Sequence, residues 1–273
     1  MKKLGIIGYG KLGEAIANGL IKQAIVSPND MMASVRRESS LLKRQSENVN
    51  SLASIEFGRN NQSIAQSCKT ILLAVKPQNV EAVLNDIDSV LTEEHLLISV
   101  AASVTTSYIE TRLSKPVPVI RAMPNTPSVI NAGMTALSKG KFATEEQLAF
   151  SKTLFDAIGK TVIVEEYLMD GVTALSASGP AYIYVVIEAL AEAGVKLGIP
   201  RDVSTLLAAQ TMYGASKLVL ETNIHPAVLK DSVTTPAGCT IDGLLELEEG
   251  GLRVTLIKAV VKAAERASEL VKK

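Results

Sequence analysis

The feature that most limits the folds open to this chain is a glycine pattern near its start. Gly8, Gly10 and Gly13 lie between the apolar run 4–7 and a helical pattern over 14–25. In that setting the first glycine permits a tight turn, the second lets the backbone approach a pyrophosphate, and the third allows close packing of helix on strand. A purely structural glycine turn is the alternative. The predicted dinucleotide-binding residues of this turn are Gly8, Tyr9, Gly10, Lys11, Leu12 and Gly13.

Strand and helix patterns alternate along the first 165 residues. Apolar runs predict strands over 31–35, 70–75, 96–100, 117–121, 133–139 and 161–164. Helices are predicted over 61–67, 78–91 and 145–158, and a further helix ends near 113. Because the strands are mostly continuous apolar runs, they suit a parallel sheet buried on both faces. The predicted fold class of residues 1–165 is α/β, with a Rossmann-like, mostly parallel sheet.

The end of the second predicted strand bears on the choice of cofactor. NAD-preferring folds usually place an acidic residue there to bind the ribose 2′-hydroxyl, whereas this chain has Ser34, Arg36 and Arg37. Two cations and a hydroxyl suit a 2′-phosphate better, so we predict NADPH, with NADH as the alternative. A pair of solvated arginines near a helix start would be the simpler interpretation.

Two further loops follow predicted strands at the sheet edge where such folds bind ligands. Two prolines stiffen the second loop where the nicotinamide end of a cofactor is expected, although a rigid loop without a ligand would look the same. The predicted cofactor contacts are Ala74, Val75, Lys76 and Pro77 in the first loop, and Ala122, Met123, Pro124 and Asn125 in the second.

From residue 166 to 273 the pattern is helical, with helices predicted over 182–197, 201–221, 235–249 and 253–271. The stretch 229–241 has a composition suited to a small anion. Thr235 is a good N-cap and Pro236 is tolerated at the first helical position. The following N–H groups would then be unpaired, and the helix dipole favours a carboxylate beside them. An ordinary capped helix start is the alternative.

The charge balance argues against several classes of partner. Lysine plus arginine and aspartate plus glutamate number 28 each, which provides no electrostatic footprint for nucleic acid or an acidic membrane. Cys68 and Cys239 offer no disulfide or metal spacing. No uninterrupted apolar run reaches about 18 residues, and the first strand begins at once, leaving no room for a signal peptide. We therefore expect a cytoplasmic protein without a metal, a membrane span or a nucleic-acid partner.

Three motifs resemble those of the pyrroline-5-carboxylate reductase family. They are Arg-Ala-Met-Pro-Asn-Thr-Pro at 121–127, Ser-Gly-Pro-Ala-Tyr at 178–182, and Asp-x-Val-Thr-Thr-Pro-x-Gly-x-Thr-Ile at 231–241. The resemblance extends over essentially the whole chain. Ala237 and Ala177 depart from it, since each stands where the family usually has glycine.

The resemblance implies reduction of 1-pyrroline-5-carboxylate to L-proline, the last step of proline biosynthesis. Open N–H groups would suit the substrate carboxylate, and a basic imine can be reduced as its cation without a strong general acid. Thr240 is similar in position to the family's substrate-contacting hydroxyl, and with Thr235 it is a candidate catalytic residue. The expected substrate-binding residues are Val233, Thr234, Gly238, Cys239 and Thr240.

Other functions remain open at this point. A hydroxyacid-dehydrogenase-type reductase would usually carry a catalytic lysine on the long interdomain helix, which here has only Lys196 near its end. A reductase of other cyclic imines is a second alternative. A non-catalytic relative would be expected to lose the hydroxyls of Thr235 and Thr240, which are both present.

The predicted helix over 181–195 indicates an oligomer. Apolar residues cover nearly its whole circumference, with Glu188 and Glu192 on one line, so it must be buried on all sides. About four helices can hardly enclose one of their number. We therefore predict a homodimer, which the family resemblance also implies, that could assemble into a larger homo-oligomer. The alternative is a helix wrapped by its own first domain.

Overall fold

The computed structural model describes residues 2–48 and 54–270. The chain divides into two compact units. Unit 1 comprises Met1–Ser178 together with Ala263–Lys273, and unit 2 comprises Gly179–Lys262.

Unit 1 is built on an eight-stranded sheet in the order β3-β2-β1-β4-β5-β6-β7-β8. All neighbouring strands are parallel except β6 and β7, which confirms the predicted mostly parallel Rossmann-like class. The strand order reverses between β1 and β4, and such a reversal opens a crevice beyond the carboxyl ends of the strands. The strands are β1 (Leu4–Ile7), β2 (Met31–Ser34), β3 (Glu56–Gly58), β4 (Thr70–Leu73), β5 (Leu96–Ser99), β6 (Val119–Met123), β7 (Gly133–Lys139) and β8 (Gly159–Ile163).

Helices cover both faces of this sheet because successive strand residues point to opposite sides. Leu72, Ile98 and Ile120 lie in one apolar cluster, while their strand neighbours Leu73 and Leu97 lie in the other. The helices of unit 1 are α1 (Lys11–Lys22), α2 (Glu38–Asn48), α3 (Asn61–Ser67), α4 (Val80–Ile87), α5 (Thr106–Glu110), α6 (Glu145–Asp156) and α7 (Met169–Val172). Sequence patterns missed β3, α2 and α7.

Unit 2 is helical, and its first two helices pack closely. An added Cβ at Gly194 would lie 2.6 Å from the Ser204 hydroxyl, so the two backbones approach where small residues face each other. The helices are α8 (Gly179–Lys196), α9 (Arg201–Thr222), α10 (Pro226–Ser232), α11 (Cys239–Glu249) and α12 (Leu252–Leu270), of which the last continues into unit 1.

The single chain leaves α8 largely uncovered. Ala191 is its one buried residue, whereas Tyr184 is 60% and Val185 64% exposed.

The helical stretch 166–196 is also long and apolar enough to cross a membrane by length and composition. The expectation of no membrane span rested on uninterrupted apolar runs, whereas this criterion tolerates a few charged residues and is by itself weak evidence for a span. A helix that is buried against another protein chain meets the same criterion.

Candidate active site

The three glycines of the first turn have three different surroundings. Gly8 has a φ of +94°, and an added Cβ would lie 2.6 Å from a methyl group of Val75. At Gly13 an added Cβ would lie 3.1 Å from the Gly8 carbonyl oxygen, which keeps α1 close to the turn. At Gly10 an added Cβ would meet no atom within 4 Å. The backbone of the turn is thus open on one side, as the approach of a pyrophosphate requires.

This turn borders a cleft of about 870 Å³ beyond the carboxyl ends of β1, β2 and β4. Nine of the predicted cofactor residues line the cleft: Gly8, Tyr9, Gly10, Ser34, Arg36, Arg37, Ala74, Val75 and Lys76. Eight do not line it: Lys11, Leu12, Gly13, Pro77, Ala122, Met123, Pro124 and Asn125. The latter set stays a prediction as cofactor contacts.

Sequence patterns missed several lining residues, of which Arg59 and Asn61 are the most polar. Both follow β3, whose three residues are too few to show a strand periodicity. Only its pairing with β2 makes this segment a strand. The missed lining residues are Ile7, Val35, Ser40, Arg59, Asn61, Gln78, Asn79, Ala82 and Val83.

Three guanidinium groups gather at one end of the cleft. Arg36 and Arg37 are exposed, and neither has an ion-pair partner among the residues that the structure describes. Arg59 lies 3.4 Å from the Glu38 carboxylate. Helix α2 begins at Glu38, so its unpaired N–H groups add positive potential nearby. This end of the cleft therefore suits a dianionic group such as a phosphate.

Ser34 connects the glycine turn to the far wall of the cleft. Its hydroxyl accepts from the Gly8 N–H at 3.4 Å and donates to Asn61 Oδ1 at 2.7 Å. Its carbonyl accepts from the Tyr9 N–H at 2.8 Å. The Asn61 amide in turn donates to Asp86 at 2.9 Å. These contacts hold the turn in register with β2.

The second predicted cofactor loop makes contacts within the protein. Ala122, Met123 and Pro124 are buried. Asn125 donates its side-chain amide to the Ser176 carbonyl at 3.2 Å and accepts from the Met134 N–H at 2.9 Å. Its polar groups are thus engaged within the protein.

The anion-binding stretch begins its helix later than predicted. Helix α11 starts at Cys239 with Gly238 as its N-cap, so the assignment of Thr235 as N-cap and Pro236 as first helical residue is wrong. The reason is a turn in which the Gly238 N–H donates to the Thr235 carbonyl at 3.0 Å. Ala237 sits in this turn with a φ of +54°, a left-handed conformation that ends any helix before it.

A positive φ favours glycine, which agrees with the glycine that the family resemblance implies at position 237. An added Cβ at Gly238 would lie 2.4 Å from the Thr235 hydroxyl, so this glycine allows the turn to close.

The shifted helix start changes which groups are available to a ligand. The first-turn N–H groups now belong to Cys239, Thr240 and Ile241, whereas the Gly238 N–H is used within the turn. The Thr234 hydroxyl donates to the Lys230 carbonyl at 2.8 Å. Thr235 is exposed and Thr240 half-buried, and neither hydroxyl bonds to any residue within the described part of the chain. Val233 is 63% exposed.

The described residues include no group of three His, Cys, Asp or Glu side chains arranged to hold a metal ion. A glycine turn opening on a cleft at the sheet reversal, with cations at one end and a helical second unit, defines the class of dinucleotide-dependent oxidoreductases. The family model for pyrroline-5-carboxylate reductase dimerisation matches residues 166–270. The model for coenzyme F420-dependent NADP oxidoreductases matches residues 3–103. The chain belongs to the pyrroline-5-carboxylate reductase family, whose members use NAD(P)H.

Whole-chain relatives support this assignment. A pyrroline-5-carboxylate reductase of Methanosarcina acetivorans is 43% identical over 272 residues, which is 100% of this chain and 99% of the relative. The solved reductase of Coxiella burnetii superposes with a TM-score of 0.90 at 34% identity, covering 100% of this chain and 99% of that one. The Plasmodium falciparum enzyme with NADP bound gives a TM-score of 0.86 at 29% identity, with coverages of 99% and 98%. The dimerisation match also makes this chain a dimer-forming protein.

Proposed function

We propose that this chain reduces 1-pyrroline-5-carboxylate to L-proline with NADPH, the last step of proline biosynthesis. The observation that carries the proposal is the turn before α11. This turn presents two hydroxyls without an internal partner and three N–H groups that are unpaired within the helix. The chain that carries it matches reductases of this name over its whole length. The substrate has one carboxylate and one imine, and this set of donors and acceptors suits both.

The start of α11 would bind the substrate carboxylate. The N–H groups of Cys239, Thr240 and Ile241 have no partner within the helix, and the helix dipole favours an anion beside them. The nearby Thr235 hydroxyl is exposed and can donate to the same group. No lysine or histidine lies between 231 and 241, so carboxylate binding rests on neutral donors.

Thr240 would contact the ring nitrogen. The chemistry that bound NADPH would supply is a hydride for C5 of the protonated imine; the C=N electron pair would then move onto the nitrogen, which already carries its proton. The Thr240 oxygen can accept a hydrogen bond from that N–H group. Because no proton must be supplied during this step, positioning the ring is the main task of the protein.

The preference for NADPH over NADH rests on the cationic end of the cleft. Arg36, Arg37 and Arg59 line it, and the described residues that line the cleft include no acidic side chain to hold a 2′-hydroxyl. Guanidinium groups form paired hydrogen bonds with phosphate, which supports recognition of the 2′-phosphate.

The assembly and location follow from the same observations. The dinucleotide-binding domain would span 1–165 and the helical substrate and dimerisation domain 166–273. A partner chain would cover the exposed apolar residues of α8, so that 166–196 is buried in protein and not in a membrane. Dimers could further assemble into a larger homo-oligomer. Free Cys68 and Cys239 suit a reducing compartment, and we propose the cytoplasm.

The test is an assay of imine-dependent oxidation of NADPH by the purified chain, with L-proline measured as the product. Parallel reactions contain a cyclic imine without the carboxylate, a 2-keto acid, or NADH in place of NADPH. Turnover of the carboxylated imine with NADPH in excess of the other reactions supports the proposal. Preferred reduction of a keto acid, or absence of turnover in a folded dimer, contradicts it.

A further inference from the structure

Residues 166–178, which we call the entry segment, join the sheet of unit 1 to the first helix of unit 2. We propose that Arg121 and Asn125 are positioning residues that hold this segment at two points and thereby align the reacting groups. The proposal rests on the reductase activity proposed above. It gives Asn125 a further role, and the assignment of this residue as a cofactor contact stays a prediction.

The first point of attachment is a buried ion pair. Arg121 lies within β6 and is 2% exposed. Its guanidinium lies 3.7 Å from Glu166 Oε1 and 3.5 Å from Asp170 Oδ1. Its Nε and Nη2 atoms and the Asp170 Oδ1 atom are buried without a hydrogen-bond partner in the described structure. An arginine buried this way is costly, so its presence calls for a role that an apolar residue could not fill.

Glu166 also bonds to a second element of unit 1. Its carboxylate accepts from the Thr106 N–H at 2.6 Å and from the Thr106 hydroxyl at 2.5 Å. Thr106 is the first residue of α5, so an anion at this position is favoured by the N–H groups there. The start of the entry segment is therefore held between β6 and α5.

The second point of attachment lies near the other end of the segment. Asn125 donates to the Ser176 carbonyl at 3.2 Å, while its amide oxygen accepts from the Met134 N–H at 2.9 Å. Ser176 belongs to a π-helical turn, Thr173–Ala177, a local feature that is frequent at functional sites. Asn125 thus connects this turn to β7.

Between the two points the segment is packed against the sheet. Met169 is fully buried in an apolar cluster with Met123 and Ala136. A helical segment held by charge at one end, by an amide at the other and by a buried side chain between them has little freedom to rotate.

The entry segment bears on catalysis because it lies between the predicted nicotinamide loop and helix α8. Arg121 and Asn125 flank the loop where the nicotinamide end of the cofactor is expected, and the entry segment continues directly into α8. The proposed substrate site lies further along, in unit 2. Displacing reacting groups by about 1 Å can cost about 100-fold in rate. Loosening the entry segment should therefore slow hydride transfer without weakening cofactor binding.

The test compares Asn125→Asp, Arg121→Met and Arg121→Lys with the wild-type dimer. The aspartate keeps the acceptor for the Met134 N–H but loses the donor to Ser176. Arg112→Met is the matched control, because Arg112 also pairs with a carboxylate and has a buried Nε atom, but contacts Glu81 and Tyr108 and not the entry segment. The measurements are kcat, the dissociation constant of NADPH, the primary deuterium isotope effect with labelled NADPH, and hydrogen exchange of 166–178.

For Asn125→Asp and Arg121→Met we expect kcat to fall about 10- to 100-fold, with an NADPH dissociation constant within about threefold of the wild type. The isotope effect should rise as hydride transfer becomes limiting, and exchange of 166–178 should accelerate. Arg121→Lys should recover part of kcat, and Arg112→Met should change neither kcat nor this exchange.

Three results would overturn the proposal. In the first, Asn125→Asp weakens NADPH binding in proportion to its loss of activity, as a direct cofactor ligand would. In the second, the variants lower thermal stability while kcat and the isotope effect stay unchanged, which indicates packing alone. If the wild type reduces no imine, the proposed function fails, whereas unchanged exchange of 166–178 in every variant refutes the attachment itself.

Discussion

The sharpest test of the site is the removal of one hydroxyl in Thr240→Ala. Thr240 lies in the first turn of α11, is half-buried, and has no hydrogen-bond partner for its hydroxyl within the described residues. Its loss therefore breaks no internal bond. The free energy of unfolding should change by no more than about 0.5 kcal/mol, as for surface substitutions away from special features.

The variant Thr240→Ala should instead lower the catalytic efficiency. Loss of one contact that leaves a polar partner unpaired costs about 1–3 kcal/mol, which corresponds to about 5- to 150-fold in kcat/KM. Thr240→Ser should retain most of the activity because it keeps the oxygen. Thr240→Val, which has nearly the same shape but no hydroxyl, should resemble the alanine variant.

Steady-state kinetics with the carboxylated imine, together with thermal melts, measure both effects. The matched control is Thr153→Ala on α6, an exposed helical threonine whose hydroxyl donates to the Ala149 carbonyl. Unchanged kcat/KM in Thr240→Ala would refute the proposed contact. A loss of activity that is matched by an equal loss of folded protein would refute it as well.

Other parts of the molecule lead to three further predictions. Arg36→Ala should lower kcat/KM for NADPH more than for NADH, because a phosphate ligand is lost; an unchanged ratio of the two efficiencies argues against this role. Burial raises the pKa of Glu110, opposed by the N–H groups of Phe142 and Lys141 and reinforced by nearby Glu166. Its ionised form is thus disfavoured in the folded protein, and the stability contributed by its protonated form is lost as pH rises through the raised pKa. Glu110→Gln should therefore raise the melting temperature more at about pH 8 than at about pH 4, and a pH-independent difference between the two proteins contradicts this. Dilution should reduce activity together with dimer content, because α8 is uncovered in the single chain; a fully active monomer in sedimentation at nanomolar concentration is incompatible with that view. If larger assemblies are present, the dimer should be the last unit to dissociate.

Much of unit 1 could be predicted from the sequence because its signals are local. The glycine turn requires a positive φ at Gly8 and an open side at Gly10, and both requirements can be read from residue types at fixed spacing. Helix α3 and strand β7 have the predicted bounds, since apolar spacing and neighbouring turn residues mark their ends. Strand β3 could not be found this way, because pairing with β2 alone makes it a strand.

The second unit was predictable in kind but not in detail. All-round apolar character in α8 indicated a partner chain, and the dimerisation match agrees with that. The start of α11 was misplaced by three residues, because Thr235 and Pro236 form a good N-terminal signal. The left-handed backbone conformation of Ala237 could not be predicted from the sequence, because alanine ordinarily favours a right-handed helix.

Local residue patterns were enough to predict the strand–turn–helix dinucleotide motif, the alternation of α and β elements, and the hydroxyl-rich turn to which we assign the substrate. These depend on residues within one or two turns of each other. Two features were visible only in the tertiary structure. Arg59 and Asn61 line the cleft, and the side-chain amide of Asn125 donates to the carbonyl of Ser176, 51 residues away. Such contacts form when the sheet brings segments together that are distant in the sequence. A local residue pattern does not predict which distant segments will meet.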